Sequence, residues 1–88
     1  MPLLHIMYTT YILYSSKISR YYTGHTINLE RRLAEHNRGK TKILARGVPW
    51  TIVYTSILDS RSEAMMLENS IKKRGAKRFL DDFKIKSF

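Results

Sequence analysis

The chain contains no cysteine and no apolar run long enough to cross a membrane. Without thiols it can form neither a disulfide framework nor a thiolate zinc site, so packing alone must hold the fold. The apolar opening, residues 1–7, is too short for a secretory core and leads directly into a strand-like segment. These absences argue against export and membrane insertion, and they predict a cytoplasmic protein.

Acidic residues are also scarce. Seven Asp and Glu oppose sixteen Lys and Arg, which gives a formal charge of +9. Such an excess attracts anions and favours salt-sensitive encounter with polyphosphates. Nucleic acid is therefore the expected partner, although basic ribosome-associated and membrane-surface proteins carry similar charge. With 88 residues and no internal repeat, we expect one domain over residues 1–88.

The first half of the chain predicts a β-hairpin followed by a helix. Residues 8–14, YTTYILY, are rich in β-branched and aromatic side chains, and a second strand follows a short polar turn and ends at Gly24. Asn28 is a candidate N-cap for a helix from Leu29 to about Asn37, with Gly39 as a terminator just beyond it.

The second half predicts a strand and two helices. Residues 38–49 indicate a basic loop, and residues 50–57 a third strand. Ser60 and Glu63 form a capping box that opens a helix ending at Gly75, and residues 76–88 fit one more short helix.

The predicted order β-β-α-β-α-(α) indicates an α/β protein of the α+β type, with a core over about residues 8–74. The hairpin loop is too short for a parallel crossover. We therefore expect a central three-stranded antiparallel sheet flanked by helices.

Ionisable residues lie on the apolar stripes of both long helices. Arg32 and His36 share a stripe with Leu29 and Leu33. A boundary position would explain them, with the Arg32 guanidinium reaching water and His36 partly exposed at the helix end.

On the later helix, Glu68 shares a stripe with Ala64, Leu67 and Ile71. Because burial of an unpaired carboxylate is costly, Glu68 must lie at an edge, pair with a cation or bind a metal. A zinc site at the histidines is disfavoured, since no further ligand lies at a standard spacing.

Several segments together resemble the GIY-YIG nucleases. These are TYILYS from residue 10, YTG from residue 22, NLERRLAEHN from residue 28, GVPWTIVY from residue 47, RSEA from residue 61 and ENSIK from residue 68. Their order and spacing are similar to the small, single-domain bacterial branch of that family. Two positions depart from the pattern: Thr9 stands at the glycine of the first motif, and Thr23 is the middle residue of the second.

This resemblance implies a metal-dependent endonuclease acting on nucleic acid, with DNA as the expected substrate and repair or recombination as its setting. It implies Mg²⁺ or Mn²⁺ bound by Glu68. It also assigns the family's catalytic positions to Tyr11, Tyr22, Arg32, His36 and Glu68.

The resemblance and phosphodiester chemistry suggest a role for each side chain. Tyr11 would orient or deprotonate the attacking water, with its pKa lowered by Arg32 or by the Lys40 and Lys42 region. Tyr22 would hydrogen-bond the phosphate and Arg32 would clamp it, while His36 would relay the proton or hold Tyr11.

Basic residues elsewhere are expected to guide the nucleic-acid backbone, although a solvated charged face is the competing interpretation for each. They are Arg38, Lys40, Lys42, Arg46, Lys72, Lys73 and Arg74. Two other functions stay open: a non-catalytic nucleic-acid-binding module on the same scaffold, and an interaction domain for another protein. A homodimer or an accessory protein is a further expectation for cutting both strands.

Overall fold

Three antiparallel strands form the centre of the protein. The computed structural model describes residues 5–84, in which the strands pair in the order β2-β1-β3. The strands are β1 (Tyr8–Ser15), β2 (Arg20–Thr26) and β3 (Thr51–Leu58); the helices are α1 (Leu29–Asn37), α2 (Lys42–Ala45), α3 (Arg61–Arg74) and α4 (Ala76–Lys84). The predicted fold class and element order are confirmed, with α2 as an addition. Residues 85–88 of the expected tail lie outside the described range.

The central strand β1 sends alternate side chains to opposite faces of the sheet. Tyr11 and Leu13 pack with Leu44 and with residues of α1 on one face. On the other face Thr10 is fully buried, and its hydroxyl donates a hydrogen bond of 2.8 Å to the carbonyl oxygen of Ala64 in α3. Helices therefore cover both faces, and every residue of β1 from Thr10 to Leu13 is buried.

The second strand is longer than the sequence predicts. It continues through Gly24 to Thr26, with Gly24 directly opposite Tyr11 in the register. Gly24 therefore does not end the strand. A glycine commonly marks a strand end, but here it lies where a neighbouring side chain crosses the backbone closely.

A short helix, α2, interrupts the segment predicted as a loop. Its anchor is Leu44, which is buried beside Trp50. The indole Nε1 of Trp50 donates a hydrogen bond of 2.8 Å to the carbonyl oxygen of Leu44. The loop prediction was wrong for residues 42–45 because burial of one leucine outweighs the local glycine and proline signals.

The predicted helix ends are confirmed. Asn28 Oδ1 accepts a hydrogen bond of 3.0 Å from the backbone N–H of Arg31, and Ser60 Oγ accepts one of 3.2 Å from Glu63. Gly75 ends α3 with a φ of +93°, a conformation that favours glycine. Local capping residues therefore determine where α1 and α3 begin and where α3 ends.

The last helix is held on β3 by aromatic packing. The ring of Tyr54 lies 5.1 Å from that of Phe79 and 5.9 Å from that of Phe83, measured between centroids. Aromatic pairs at these distances add to the stabilisation that burial provides. This contact fixes α4 on the face of the sheet that α3 also covers.

Asn37 joins the end of α1 to the start of β3. Its Oδ1 accepts a hydrogen bond of 2.7 Å from Trp50 N, and its Nδ2 donates one of 3.1 Å to Trp50 O. We expect Asn37→Ala to lower the free energy of unfolding by about 1–3 kcal/mol, because partly buried backbone groups lose their partners. Urea unfolding measures this. Asn69→Ala, at an exposed helical site, is the control and should show no loss; equal stabilities would contradict the role of Asn37.

Candidate active site

Two tyrosines and a histidine meet on the face of the sheet covered by α1. The Tyr11 hydroxyl lies 3.3 Å from Nε2 of His36, and both side chains are buried. The ring of Tyr22 lies 5.4 Å from the His36 ring and 6.3 Å from the Tyr11 ring. The structure therefore brings together three of the residues that the sequence singled out.

Gly24 makes room for this cluster. A Cβ atom at this position would lie 2.8 Å from the Tyr11 hydroxyl oxygen and 3.0 Å from Cζ of the same ring. The shorter distance is below any real contact of a Cβ atom, so a side chain here would force the buried Tyr11 ring to shift. The absence of a side chain at Gly24 thus allows Tyr11 to lie across β2.

The imidazole of His36 is held at both nitrogens. Its Nδ1 lies 3.0 Å from the hydroxyl oxygen of Thr41, the residue before α2, and its Nε2 faces Tyr11. Burial, with a smaller contribution from Arg32, lowers the pKa of His36. The boundary interpretation, with a partly exposed His36, was wrong: the residue is buried, and it is neutral at pH 7.

The Tyr11 hydroxyl lies in an environment that opposes its ionisation. Burial raises its pKa well above the ordinary range, and the charges of Tyr22 and Glu68 add to this effect. Arg32 acts in the opposite direction but does not overcome the burial. The expectation of a cation-lowered pKa is therefore wrong for this state of the protein, because desolvation is the larger effect. At neutral pH Tyr11 keeps its proton.

Glu68 approaches from α3, on the opposite face of the sheet. Its Oε1 lies 2.6 Å from Nδ1 of His25, and its Oε2 lies 2.6 Å from Nζ of Lys72. Burial raises the pKa of Glu68, but the two hydrogen bonds outweigh it, and the pKa lies below its usual value. The carboxylate is therefore ionised at neutral pH and paired with a cation.

The two halves of the site lie on either side of β2. Consecutive residues, Gly24 and His25, face opposite sides of the strand: Gly24 contacts Tyr11, and His25 contacts Glu68. The negative charge of Glu68 raises the pKa of Tyr11 across this strand. Arg32 and Glu68, two residues of the sequence prediction, thus both act electrostatically on the Tyr11 hydroxyl.

The chemistry of Glu68 fits a hard divalent cation. A carboxylate oxygen is a preferred ligand of Mg²⁺, which commonly binds through one carboxylate and keeps several waters. The Lys72 ammonium already places positive charge at Oε2. Within residues 5–84 no three His, Cys, Asp or Glu side chains are grouped as metal ligands. A cation at Glu68 would therefore be held by one carboxylate, with His25 beside it.

Arg32 lies at the border of the cluster. Its side chain is 46% exposed, and its Nη1 lies 3.7 Å from Oε1 of Glu35. The boundary interpretation of Arg32 therefore describes its position correctly. The guanidinium is nevertheless close enough to Tyr11 to act toward lowering the pKa of that hydroxyl. It can therefore form an ion pair with an anion bound beside Tyr11.

The expected backbone-binding residues do not share one environment. Arg46 and Arg20 line a cleft that includes Tyr22 and therefore adjoins the cluster. Arg74 forms an ion pair with Asp82, 2.8 Å between Nη2 and Oδ1, and thereby joins α3 to α4. Of the remaining predicted residues, Lys72 contacts Glu68. All of the remaining residues are exposed: Arg38, Lys40, Lys42, Lys72 and Lys73.

Four contributions to the site were not predicted from the sequence. Thr41 and Arg20 carry no periodic signal. His25 was considered only as a zinc ligand, although its position after Gly24 places it opposite Thr10, on the face that α3 covers. Lys72 was assigned to the nucleic-acid backbone, although it follows Glu68 by one helical turn, the spacing of a helical ion pair.

This fold and arrangement of side chains define a class of protein, the GIY-YIG domains. Residues 7–80 match the GIY-YIG catalytic domain, and the chain belongs to this family. No helix within residues 5–84 is long and apolar enough to span a membrane.

Several relatives carry the name UPF0213 protein. The one from Halobacterium salinarum is 49% identical over 53 residues, which are 59% of this chain and 69% of the relative. The one from Natronomonas pharaonis is 48% identical over 52 residues, 58% of this chain and 61% of the relative. The solution NMR structure of a UPF0213 protein from Bacillus halodurans is similar, with a TM-score of 0.55 and 30% identity, covering 91% of this chain and 85% of that one.

We expect Gly24→Ala to displace the Tyr11 ring and break its hydrogen bond to His36, because the added Cβ would overlap the hydroxyl. NMR chemical shifts of the His36 imidazole should move, and the protein should become less stable. The control is Gly39→Ala, where a Cβ meets nothing closer than 4.0 Å. It should cost about 1 kcal/mol through its positive φ and leave the His36 signals in place. Unmoved signals in Gly24→Ala would contradict this steric role.

Because of His36, the protein should become less stable as the pH decreases below neutrality. The pKa of His36 is lowered in the folded protein. Below about pH 6.5 the histidine is therefore protonated in the unfolded chain but still neutral in the native state. The free energy of unfolding should therefore decrease as the pH falls from neutrality through that value. His36→Gln should remove this component, whereas His5→Gln, at an exposed site, should retain it. Urea unfolding across the pH range measures the slope; an unchanged slope in His36→Gln would disprove the assignment.

Proposed function

We propose that this chain is a metal-dependent endonuclease that hydrolyses phosphodiester bonds of nucleic acid, with DNA as its substrate. One arrangement carries the proposal: Gly24 and His25 of β2 connect the buried Tyr11–His36 pair to the carboxylate of Glu68. Membership in the GIY-YIG family supports the same reaction class. We further propose a repair or recombination setting, which the family resemblance supports, and a cytoplasmic location, with which the lack of cysteine is compatible.

The reaction needs an activated water, neutralisation of charge on the phosphoryl oxygens and stabilisation of the departing oxygen. A divalent cation such as Mg²⁺ or Mn²⁺, when held by Glu68, supplies charge neutralisation at the phosphate and the leaving oxygen. The protein must supply the rest. Its own groups for this purpose are Tyr11, Tyr22, Arg32 and His36.

Tyr11 and His36 form the path for the proton of the attacking water. Because Tyr11 is protonated at neutral pH, it does not act as a free phenolate. Its oxygen accepts the water proton while its own proton passes to Nε2 of His36, 3.3 Å away. This transfer requires the neutral imidazole with its hydrogen on Nδ1, donated to Thr41. The low pKa of His36 keeps it neutral and ready to accept.

Tyr22 and Arg32 bind the phosphate. The Tyr22 ring adjoins both Tyr11 and His36, so its hydroxyl can donate a hydrogen bond to a phosphoryl oxygen there. Arg32 offers a partly exposed guanidinium, whose planar donors match two phosphate oxygens. Beyond the site, we assign the nucleic-acid backbone to the exposed basic residues Arg38, Lys40, Lys42, Arg46 and Lys73.

A non-catalytic binding module is the second candidate. A carboxylate facing a polyanion would weaken such a module, but the Lys72 ammonium offsets part of that repulsion. Affinity for nucleic acid therefore does not separate the two functions. Cleavage does, because a binding module needs neither the Tyr11 hydroxyl nor a carboxylate at Glu68.

We expect Glu68→Gln and Tyr11→Phe each to reduce cleavage by about 100-fold or more, since each removes a group that acts on the reacting atoms. Affinity for DNA and the folded structure should be nearly unchanged. The assay uses Mg²⁺ or Mn²⁺ with single-stranded, duplex, flap and branched substrates.

The matched controls for this assay are Glu63→Gln on the same helix and Tyr54→Phe on β3. Both should cleave like the unaltered protein, because neither side chain contacts the cluster. Full cleavage by both Glu68→Gln and Tyr11→Phe would reject the nuclease mechanism. Binding without cleavage on every substrate by the unaltered protein would favour the binding module.

A further inference from the structure

Both carboxylate oxygens of Glu68 are engaged. His25 Nδ1 contacts Oε1 and Lys72 Nζ contacts Oε2, each at 2.6 Å. Each oxygen keeps a second lone pair, but a divalent cation bound at Oε2 would lie beside the Lys72 ammonium and be repelled by it, and a cation bound at Oε1 would lie beside the His25 ring. Binding of a cation therefore competes with one of the two partners.

The two partners differ in how easily they can leave. His25 belongs to a strand, and its side chain is 19% exposed. Lys72 is 54% exposed and carries a flexible four-carbon chain from the next turn of α3. An exposed lysine pair gains little net free energy, because water and salt compete for both charges. Lys72 is therefore the partner that leaves, while His25 keeps the carboxylate oriented through Oε1.

We propose that Lys72 is an internal counter-ion that occupies Oε2 of Glu68 in the resting protein and transfers to a substrate phosphate when a divalent cation takes its place. This inference rests on the proposed function. Lys72 then contacts the substrate phosphate at the site, rather than the nucleic-acid backbone at a distance from it. Its ammonium pairs first with the Glu68 carboxylate and then with the phosphodiester of the substrate.

Cooperativity follows from this exchange. Without nucleic acid, a cation must break the ammonium–carboxylate contact, which lowers its apparent affinity. With a polyanion present, the released ammonium pairs with a phosphate, so binding of the cation costs less free energy. Since coupling between two ligands is reciprocal, cation and nucleic acid should each strengthen the binding of the other. Lys73 is also exposed, but it makes no contact with Glu68 among the interactions of the described residues, and its charge should not contribute to this coupling.

The test is a titration with Mn²⁺ alone, followed by the electron paramagnetic resonance signal of free Mn²⁺, without nucleic acid and without catalysis. We expect Lys72→Met to bind Mn²⁺ roughly 3- to 10-fold more tightly than the unaltered protein, the range given by loss of a modest ion pair. Lys73→Met makes the same change of net charge one residue away and should stay within about 2-fold. Lys72→Arg retains a competing cation and should return the affinity toward that of the unaltered protein.

A second titration adds a nuclease-resistant phosphorothioate oligonucleotide. The unaltered protein should then bind Mn²⁺ more tightly than without it, and Lys72→Met should gain less. Equal Mn²⁺ affinities for Lys72→Met, Lys73→Met and the unaltered protein would overturn the inference and leave the nuclease proposal intact. Equal Mn²⁺ binding by Glu68→Gln and the unaltered protein would instead remove the metal site, and the proposed function with it.

Discussion

The close approach of the Tyr11 hydroxyl to the backbone at Gly24 is the constraint on which the site depends. Tyr11 belongs to the buried stretch of the central strand, Thr10 to Leu13, so its ring cannot move without disturbing the core. A glycine opposite it lets the hydroxyl pass over β2 and reach His36. The packing of the Tyr11 ring therefore also places its hydroxyl oxygen. The stability of the sheet and the geometry of the site thus depend on the same contact.

Burial and charge act differently on the two sides of β2. Around Tyr11 and His36 desolvation prevails, so both side chains are neutral and suited to passing a proton. Around Glu68 the hydrogen bonds from His25 and Lys72 prevail, so the carboxylate keeps its charge. A single strand thus separates two neutral side chains from an ionised carboxylate, and these are the protonation states that the proposed hydrolysis needs.

Much of the fold could be predicted from local signals. The caps at Asn28 and Ser60 and the stop at Gly75 act through their own backbone neighbours, so α1 and α3 were predicted within a residue of their ends. The one-turn helix α2 was missed because its anchor, Leu44, becomes apolar core only after Trp50 folds back onto it. The extension of β2 past Gly24 was missed because it depends on pairing with another strand, where His25 and Thr26 lie opposite Thr10 and Thr9.

The sequence by itself determined the sheet, the two long helices and the presence of ionisable side chains on their apolar stripes, because periodicity and capping are properties of neighbouring residues. Tertiary structure alone decided what those side chains contact. It buried His36 between Tyr11 and Thr41, raised rather than lowered the pKa of Tyr11, and assigned Lys72 to Glu68. Desolvation and charge pairing depend on distances between separate elements, and these distances exist only once the sheet and the helices have packed.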